Sequence, residues 1–246
     1  MTMNRPDSHN ALNADLIGEL TRCFEEMSDD ERVRVIVLTG EGRSFCAGAD
    51  VGYMRETASF SYEENLDDAR RLAMMYWIID ECPNPVVAKV HGAAMGGGAG
   101  LLAVADVVMA DSEARFAFSE VRLGIAPATI SPFVVRKIGV SHARALFLTG
   151  ERFDAQRAGE IGLVHRVVSR EGLDSAVDEK VGELLRGGPV AQASLKGLLR
   201  RLETTEPMEA PGLTARVISE LRTGEEGQEG LAAFLEKREP RWRRER

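Results

Sequence analysis

The chain has 246 residues, of which 44% are hydrophobic, and this composition is typical of a globular protein that buries a substantial core. A formal net charge of −8 disfavours a nucleic-acid partner, because phosphate contacts need clustered basic side chains. The sequence has no apolar run of membrane-spanning length, no secretion signal at its start and only three unpaired-looking cysteines, so we expect a cytoplasmic protein without a membrane partner.

Helices and strands alternate in the first two thirds of the chain. In chain order the predicted elements are a helix at 11–27, a strand at 33–38, a helix at 65–82, a strand at 86–90, a short helix at 101–105, a strand at 106–110 and a short strand at 115–118. Two prolines, Pro83 and Pro85, end the second helix. This alternation predicts an α/β fold.

The last third of the chain is predicted to be helical. Apolar spacing indicates helices at 173–185, 191–202 and 213–221, and no strand is evident after about Ser169. The small-residue break at Gly187 and Gly188 suggests a boundary, with an α/β core at 1–187 and a helical region at 188–246. The apolar faces of the last helices predict self-association.

Two segments rich in small residues follow predicted strands. One is residues 96–100 (GGGAG), and the other is residues 43–50 (RSFCAGAD), which come directly after the strand that ends near Gly40. If the two strands are adjacent and parallel, both turns lie at their carboxyl ends, where open α/β sheets bind ligands. One backbone N–H from each turn would then form an oxyanion hole.

Glu120 follows the glycine segment in the apolar stretch 116–124 (FAFSEVRLG). A lone carboxylate among apolar neighbours has a pKa suited to moving protons, so Glu120 beside an oxyanion hole predicts proton transfer next to a polarised carbonyl. A surface acid and a glycine turn made only for packing are the alternatives. Residues 98–103 (GAGLLA) fit a dinucleotide motif loosely, but their late position argues against NAD or FAD. The histidines lack metal-ligand spacing, and we predict no metal site.

Four ordered motifs resemble those of the enoyl-CoA hydratase/isomerase (crotonase) family over nearly the whole chain. They are residues 4–6 (NRP), 45–50 (FCAGAD), 85–98 (PVVAKVHGAAMGGG) and 148–150 (LTG), the last followed by 162–164 (GLV). The resemblance implies a spiral of ββα units with a C-terminal all-helical trimerisation region, whose trimers often pair into hexamers. It also implies an acyl-CoA thioester as substrate, and no cofactor, since coenzyme A is part of the substrate.

The resemblance implies roles for particular residues. The N–H groups of Ala49 and Gly97 would bind the thioester oxygen, and Glu120 would position or deprotonate water. Lys237, in the segment 234–238 (FLEKR), would reach the coenzyme A pocket of a neighbouring subunit. The remaining substrate-binding positions that it implies are Ala47, Asp50, Val51, Gly98 and Gly100.

The chain departs from the family pattern in two places. Gly100 stands where hydratases usually carry a second glutamate, so the pair of carboxylates that clamps water is incomplete. The chain also leaves little room before Asn4 for the usual first strand pair, and we expect a recorded start that is late or truncated.

Residues 124–135 (GIAPATISPFVV) make the chain most similar to bacterial methylglutaconyl-CoA hydratases of leucine and isoprenoid degradation. Our first hypothesis is hydration of a 2-enoyl-CoA, with 3-methylglutaconyl-CoA as one candidate. The distal carboxylate of that substrate would need a cation, for which Arg55, Lys89 and Arg122 are candidates. Cys46, Tyr53 and Tyr62 are attributed to packing. The alternatives are a Δ3,Δ2-enoyl-CoA isomerase with a single glutamate and a non-catalytic acyl-CoA or RNA-binding relative.

Overall fold

The computed structural model describes residues 1–243. The helices are α1 (Ala14–Asp29), α2 (Val51–Thr57), α3 (Tyr62–Glu81), α4 (Gly97–Val104), α5 (Ser131–Thr149), α6 (Ala155–Glu160), α7 (Leu173–Leu184), α8 (Pro189–Leu202), α9 (Ala210–Thr223) and α10 (Glu225–Leu235). The strands are β1 (Thr2–Met3), β2 (Ile36–Gly40), β3 (Val86–Val90), β4 (Ala93–Met95), β5 (Val107–Asp111), β6 (Arg115–Ala117), β7 (Arg152–Asp154) and β8 (Arg166–Val168).

The main sheet has five parallel strands in the order β1-β2-β3-β5-β8. Its central strand β3 is apolar on both faces, since Val86 and Ala88 pack into the main core while Val87 packs beneath α7. Strands β2 and β3 are direct neighbours, with Ile36 opposite Val86. The condition set for the two small-residue turns, that the strands before them are adjacent and parallel, is therefore met.

A smaller sheet, in the order β4-β6-β7, completes the α/β core. Strand β4 runs parallel to β6, and a bridge between Cys46 and Ala94 extends this sheet toward the first small-residue turn. Strands β3 and β4 lead into α4, and β5 and β6 lead on to α5, so strand–strand–helix units follow one another. This is the mixed α/β arrangement of strand–strand–helix units predicted from the sequence, with α8–α10 as its C-terminal helices.

Several helices and strands begin at residues other than those predicted, because of local hydrogen bonds. Helix α1 begins at Ala14, because the Asn13 side chain accepts the Leu16 N–H at 3.0 Å. Helix α3 begins three residues earlier than predicted, at a capping box between Ser61 and Glu64. The strand predicted from residue 33 starts only at Ile36, since the N–H of Val33 donates to a turn carbonyl.

The glycine segment is not the extended turn that the sequence predicted. Only Gly96, with φ 49°, makes a turn, and α4 already begins at Gly97. The glycines inside the helix serve close packing: a Cβ on Gly98 would lie 2.3 Å from the Cys46 carbonyl oxygen. The short helix predicted at 101–105 is thus the second half of α4.

The C-terminal helices contact the core through charged groups. Lys196 of α8 lies 2.6 Å from an Asp106 carboxylate oxygen, and Arg200 lies 2.9 Å from Glu81. Helix α7 instead packs on the main sheet. Among residues 1–243 no helix is long and apolar enough to cross a membrane.

Candidate active site

A cavity of about 470 Å³ opens where the two small-residue turns meet. Four of the predicted site residues line it together, namely Ala47, Ala49, Gly97 and Glu120. The rest of its wall comes from α1, α2, α3 and the segment that leads into α5. The structure therefore brings the predicted backbone donors and the predicted carboxylate into one cavity.

The first turn is held rigidly against its neighbours. The Leu12 N–H donates to the Gly48 carbonyl at 2.7 Å, and the Asp50 N–H donates to the Leu12 carbonyl at 2.9 Å. Gly48 has φ 96°, and a Cβ on it would lie 2.9 Å from the Met95 carbonyl oxygen. Only glycine allows the first turn to approach the second this closely.

The N–H groups of Ala49 and Gly97 are available to a ligand. Neither N–H donates to another group within residues 1–243. Gly97 is the first residue of α4, where helical N–H groups lack partners inside the helix and the helix dipole favours negative charge. Two such donors in one cavity suit an oxygen that gains negative charge during a reaction.

Glu120 begins a short 3-10 helix, Glu120–Leu123, directly after the buried strand region of β6. Its carboxylate lies against the second turn, since a Cβ on Gly96 would be 3.0 Å from Oε1. Oε2 is buried and has no hydrogen-bond partner in the described chain. Burial raises the pKa of Glu120, although its own backbone N–H partly opposes this. A carboxyl with a raised pKa and a free oxygen is suited to taking and returning a proton.

Sequence reasoning missed the contribution of Tyr76 on α3. Its hydroxyl donates to the Gly97 carbonyl at 2.8 Å, and the side chain is fully buried. Burial raises the pKa of Tyr76 well above its ordinary value, and the nearby Cys46 and Glu120 add to the effect. Tyr76 therefore remains a neutral donor that holds the start of α4. No motif marks it, because its helical spacing is that of any core residue.

The position of the missing second glutamate is filled by other side chains. A Cβ on Gly100 would lie 2.3 Å from Ile130 Cγ2 and 3.2 Å from Tyr76 Cε1. Gly100 is itself buried beneath these residues and does not line the cavity. Glu120 is thus the one glutamate among the described cavity-lining residues.

The other implied binding residues lie outside the cavity wall. Asp50 caps α2 and forms an ion pair with Arg5 at 3.0 Å, so its side chain anchors the first turn. Val51 is 65% exposed, Gly98 is buried against Cys46, and Lys237 is exposed just after α10.

None of the three cations considered for a distal carboxylate lines the cavity either. Lys89 pairs with Asp174 at 2.6 Å, Arg122 donates to the Thr149 carbonyl, and Arg55 is exposed on α2. Tyr53, attributed to packing from the sequence, does line the cavity. The other two residues attributed to packing differ, since Cys46 is buried and Tyr62 is 76% exposed.

The mixed α/β fold thus places in one cavity two backbone N–H groups without partners in residues 1–243 and one glutamate carboxyl. Residues 1–245 match the family model described as enoyl-CoA hydratase/isomerase. An enoyl-CoA hydratase from Alternaria alternata is 37% identical over 94% of this chain and 76% of that protein. The 2,3-dehydroadipyl-CoA hydratase of Escherichia coli is 32% identical over 98% of this chain and 92% of that protein.

The structural comparison agrees with the sequence comparison. The crystal structure of an enoyl-CoA hydratase from Shewanella pealeana superposes with a TM-score of 0.94 at 39% identity, covering 98% of this chain and 91% of that one. The chain therefore belongs to the enoyl-CoA hydratase/isomerase (crotonase) family, and its enzymatic class is that of the enoyl-CoA hydratases, which act on acyl-CoA thioesters.

Proposed function

We propose that Glu120 is the single proton carrier in the hydration of a 2-enoyl-CoA. Glu120 takes a proton from water, the hydroxyl oxygen bonds to C3, and the C2–C3 double bond becomes a single bond as C2 receives a proton from Glu120. The N–H groups of Ala49 and Gly97 stabilise the negative charge on the thioester oxygen, an effect worth roughly 10² to 10³ in rate for each donor. The observation that supports this most is the unpartnered, buried Oε2 of Glu120 in the same cavity as both donors.

A second candidate is double-bond migration in a 3-enoyl-CoA. The packing of Ile130 over Gly100 supports it, because the position of the usual second glutamate carries no carboxylate and its space is filled. An isomerase needs one group that removes a proton from C2 and returns it to C4, and Glu120 alone could do so. Parallel assays of a 2-enoyl-CoA for water addition and of the matching 3-enoyl-CoA for migration separate the two. Faster hydration is expected, and migration without hydration would contradict the proposal.

The acyl group is not set by family membership. The resemblance to methylglutaconyl-CoA hydratases points to 3-methylglutaconyl-CoA and to leucine or isoprenoid degradation, and one relative is named for another carboxylated acyl group. The cavity supports those substrates poorly, since no Lys or Arg lines it within residues 1–243. We therefore favour an uncharged 2-enoyl group and keep the carboxylated one as the competing prediction.

We also propose that residues 188–246 mediate assembly into a trimer or a pair of trimers. Large apolar side chains on α8 and α10 are exposed in the single chain, including Leu195, Leu199 and Phe234. In such an assembly Lys237 would reach the coenzyme A of a neighbour. A cytoplasmic location remains a prediction, to which the three free cysteines add support.

A further inference from the structure

A polar cluster of Tyr53, Asp68 and Arg71 interrupts the apolar wall of the cavity. The Tyr53 hydroxyl donates to Asp68 Oδ1, and Arg71 Nη2 lies 3.0 Å from the same oxygen. Tyr53 and Asp68 line the cavity, whereas the Arg71 side chain is 62% exposed and does not. The carboxylate therefore faces the cavity side of the cluster, and the cation lies on the solvent side.

The cavity carries charge of one sign only. Within residues 1–243, Asp68 and Glu120 are its only charged lining residues, and both are acids. The two acids come from different elements, α3 and the 3-10 helix after β6. Most of the surrounding wall is apolar, with large side chains such as Met54 of α2, Leu72 of α3 and Ile130 before α5. A low-dielectric wall of this kind strengthens the interaction between any two charges inside it.

Neither partner of Asp68 is free to pair with a negative charge on a substrate inside the cavity. The Tyr53 proton is already donated to Asp68, and burial together with that hydrogen bond raises the pKa of Tyr53 to about 12, so it stays protonated. Arg71 is engaged with the same Asp68 oxygen from outside the cavity. A carboxylate entering the cavity would meet the Asp68 carboxylate first, because Arg71 lies behind it on the solvent side.

We infer that Asp68, oriented by Tyr53 and Arg71, is a specificity-determining residue that excludes acyl groups with a terminal carboxylate and so selects uncharged 2-enoyl thioesters. This inference rests on the proposed hydration at the same cavity. It separates this chain from relatives named for a carboxylated acyl group, such as the Escherichia coli protein.

The test compares two six-carbon substrates that differ only in the terminal group, which is a methyl in 2-hexenoyl-CoA and a carboxylate in 5-carboxy-2-pentenoyl-CoA. We expect wild type to prefer the uncharged ester by at least about a hundredfold in kcat/KM. Asp68→Asn is expected to reduce that preference by about tenfold, through a lower KM for the carboxylated ester. Tyr53→Phe keeps the Asp68 charge and is expected to keep the preference.

Asp67→Asn is the matched control, because Asp67 pairs with Arg70 as Asp68 pairs with Arg71 but lies outside the cavity wall. It should leave the preference unchanged. Equal hydration of both esters by wild type, or an equal change for both esters in Asp68→Asn, would overturn the inference.

A binding measurement keeps the charge test independent of turnover. The saturated analogues hexanoyl-CoA and adipyl-CoA are titrated calorimetrically against wild type and Asp68→Asn. Wild type should bind hexanoyl-CoA more tightly than adipyl-CoA, and this difference in affinity should be smaller in Asp68→Asn. That result supports the inference even if neither enoyl ester is hydrated, in which case only the proposed hydration activity is wrong. Equal affinities of wild type for hexanoyl-CoA and adipyl-CoA would refute selection by charge, regardless of the hydration rates.

Discussion

Glu120 has a buried carboxylate oxygen without a hydrogen-bond partner in residues 1–243, and burial raises its pKa, so ionisation of Glu120 lowers the stability of the fold. Because the folded pKa lies above the ordinary 4.5, the unfolded chain ionises first as pH rises. Stability from the protonated form is present below pH 4.5 and is lost as pH rises through the folded pKa. Glu120→Gln cannot ionise, and we expect it to be more stable than wild type at pH 8 but not at pH 4.

Urea unfolding of both proteins at the two pH values checks this expectation. Glu113→Gln, at an exposed glutamate, is the control and should show no pH-dependent difference. A Glu120→Gln protein that gains nothing at pH 8 relative to pH 4 would show that the carboxylate is solvated in solution.

Gly100 allows Ile130 and Tyr76 to pack closely against α4. Gly100→Ala should lower the free energy of unfolding by about 1–3 kcal/mol, because the added methyl overlaps Ile130. Gly100→Glu should cost more, since it also buries an unpaired acid, and it should not raise hydration. Gly182→Ala, in open space on α7, is the control and should gain about 0.5–1 kcal/mol. A stable Gly100→Glu enzyme with faster hydration would contradict this assignment.

At the scale of elements, the contact between α3 and α4 positions one oxyanion donor. Tyr76→Phe removes the hydrogen bond from the Tyr76 hydroxyl to the Gly97 carbonyl, which should cost about 0.5–1.5 kcal/mol of stability. Loosening of the α4 start should also lower kcat by about tenfold. Tyr62→Phe, at an exposed tyrosine on the same helix, should change neither quantity. An unchanged kcat in Tyr76→Phe would show that this hydrogen bond does not position the Gly97 N–H for catalysis.

The observed helices and strands show which parts of the fold the sequence could predict. Long periodic segments such as α1 and α3 were predicted, and the turns before Ala49 and Gly97 were expected to converge if their strands were neighbours. The three-residue strands β4 and β7 were not predicted, although β6, which has the same length, was. The filling of the Gly100 space by Ile130 and the Tyr53–Asp68 contact join distant segments, and no local pattern encodes them.

For the whole molecule, a chain of net charge −8 must bind the anionic coenzyme A, so the basic contacts should be local and sensitive to salt. Lys237→Glu is expected to weaken binding of free coenzyme A while kcat at saturating substrate stays nearly unchanged. Titrations at two salt concentrations measure this, and light scattering should show the same trimer or hexamer for both proteins. Lys180→Glu, which alters a surface lysine of α7, is the control. Equal affinities and equal salt slopes would place Lys237 outside the binding site.

The most direct test of the account is the turnover of Glu120→Gln. The substitution removes the proton carrier but leaves the N–H donors of Ala49 and Gly97 in place. Hydration of an uncharged 2-enoyl-CoA should therefore slow at least about a hundredfold in kcat, while calorimetric affinity for the saturated acyl-CoA changes little. Turnover close to that of wild type would contradict the assignment of Glu120 as the proton carrier.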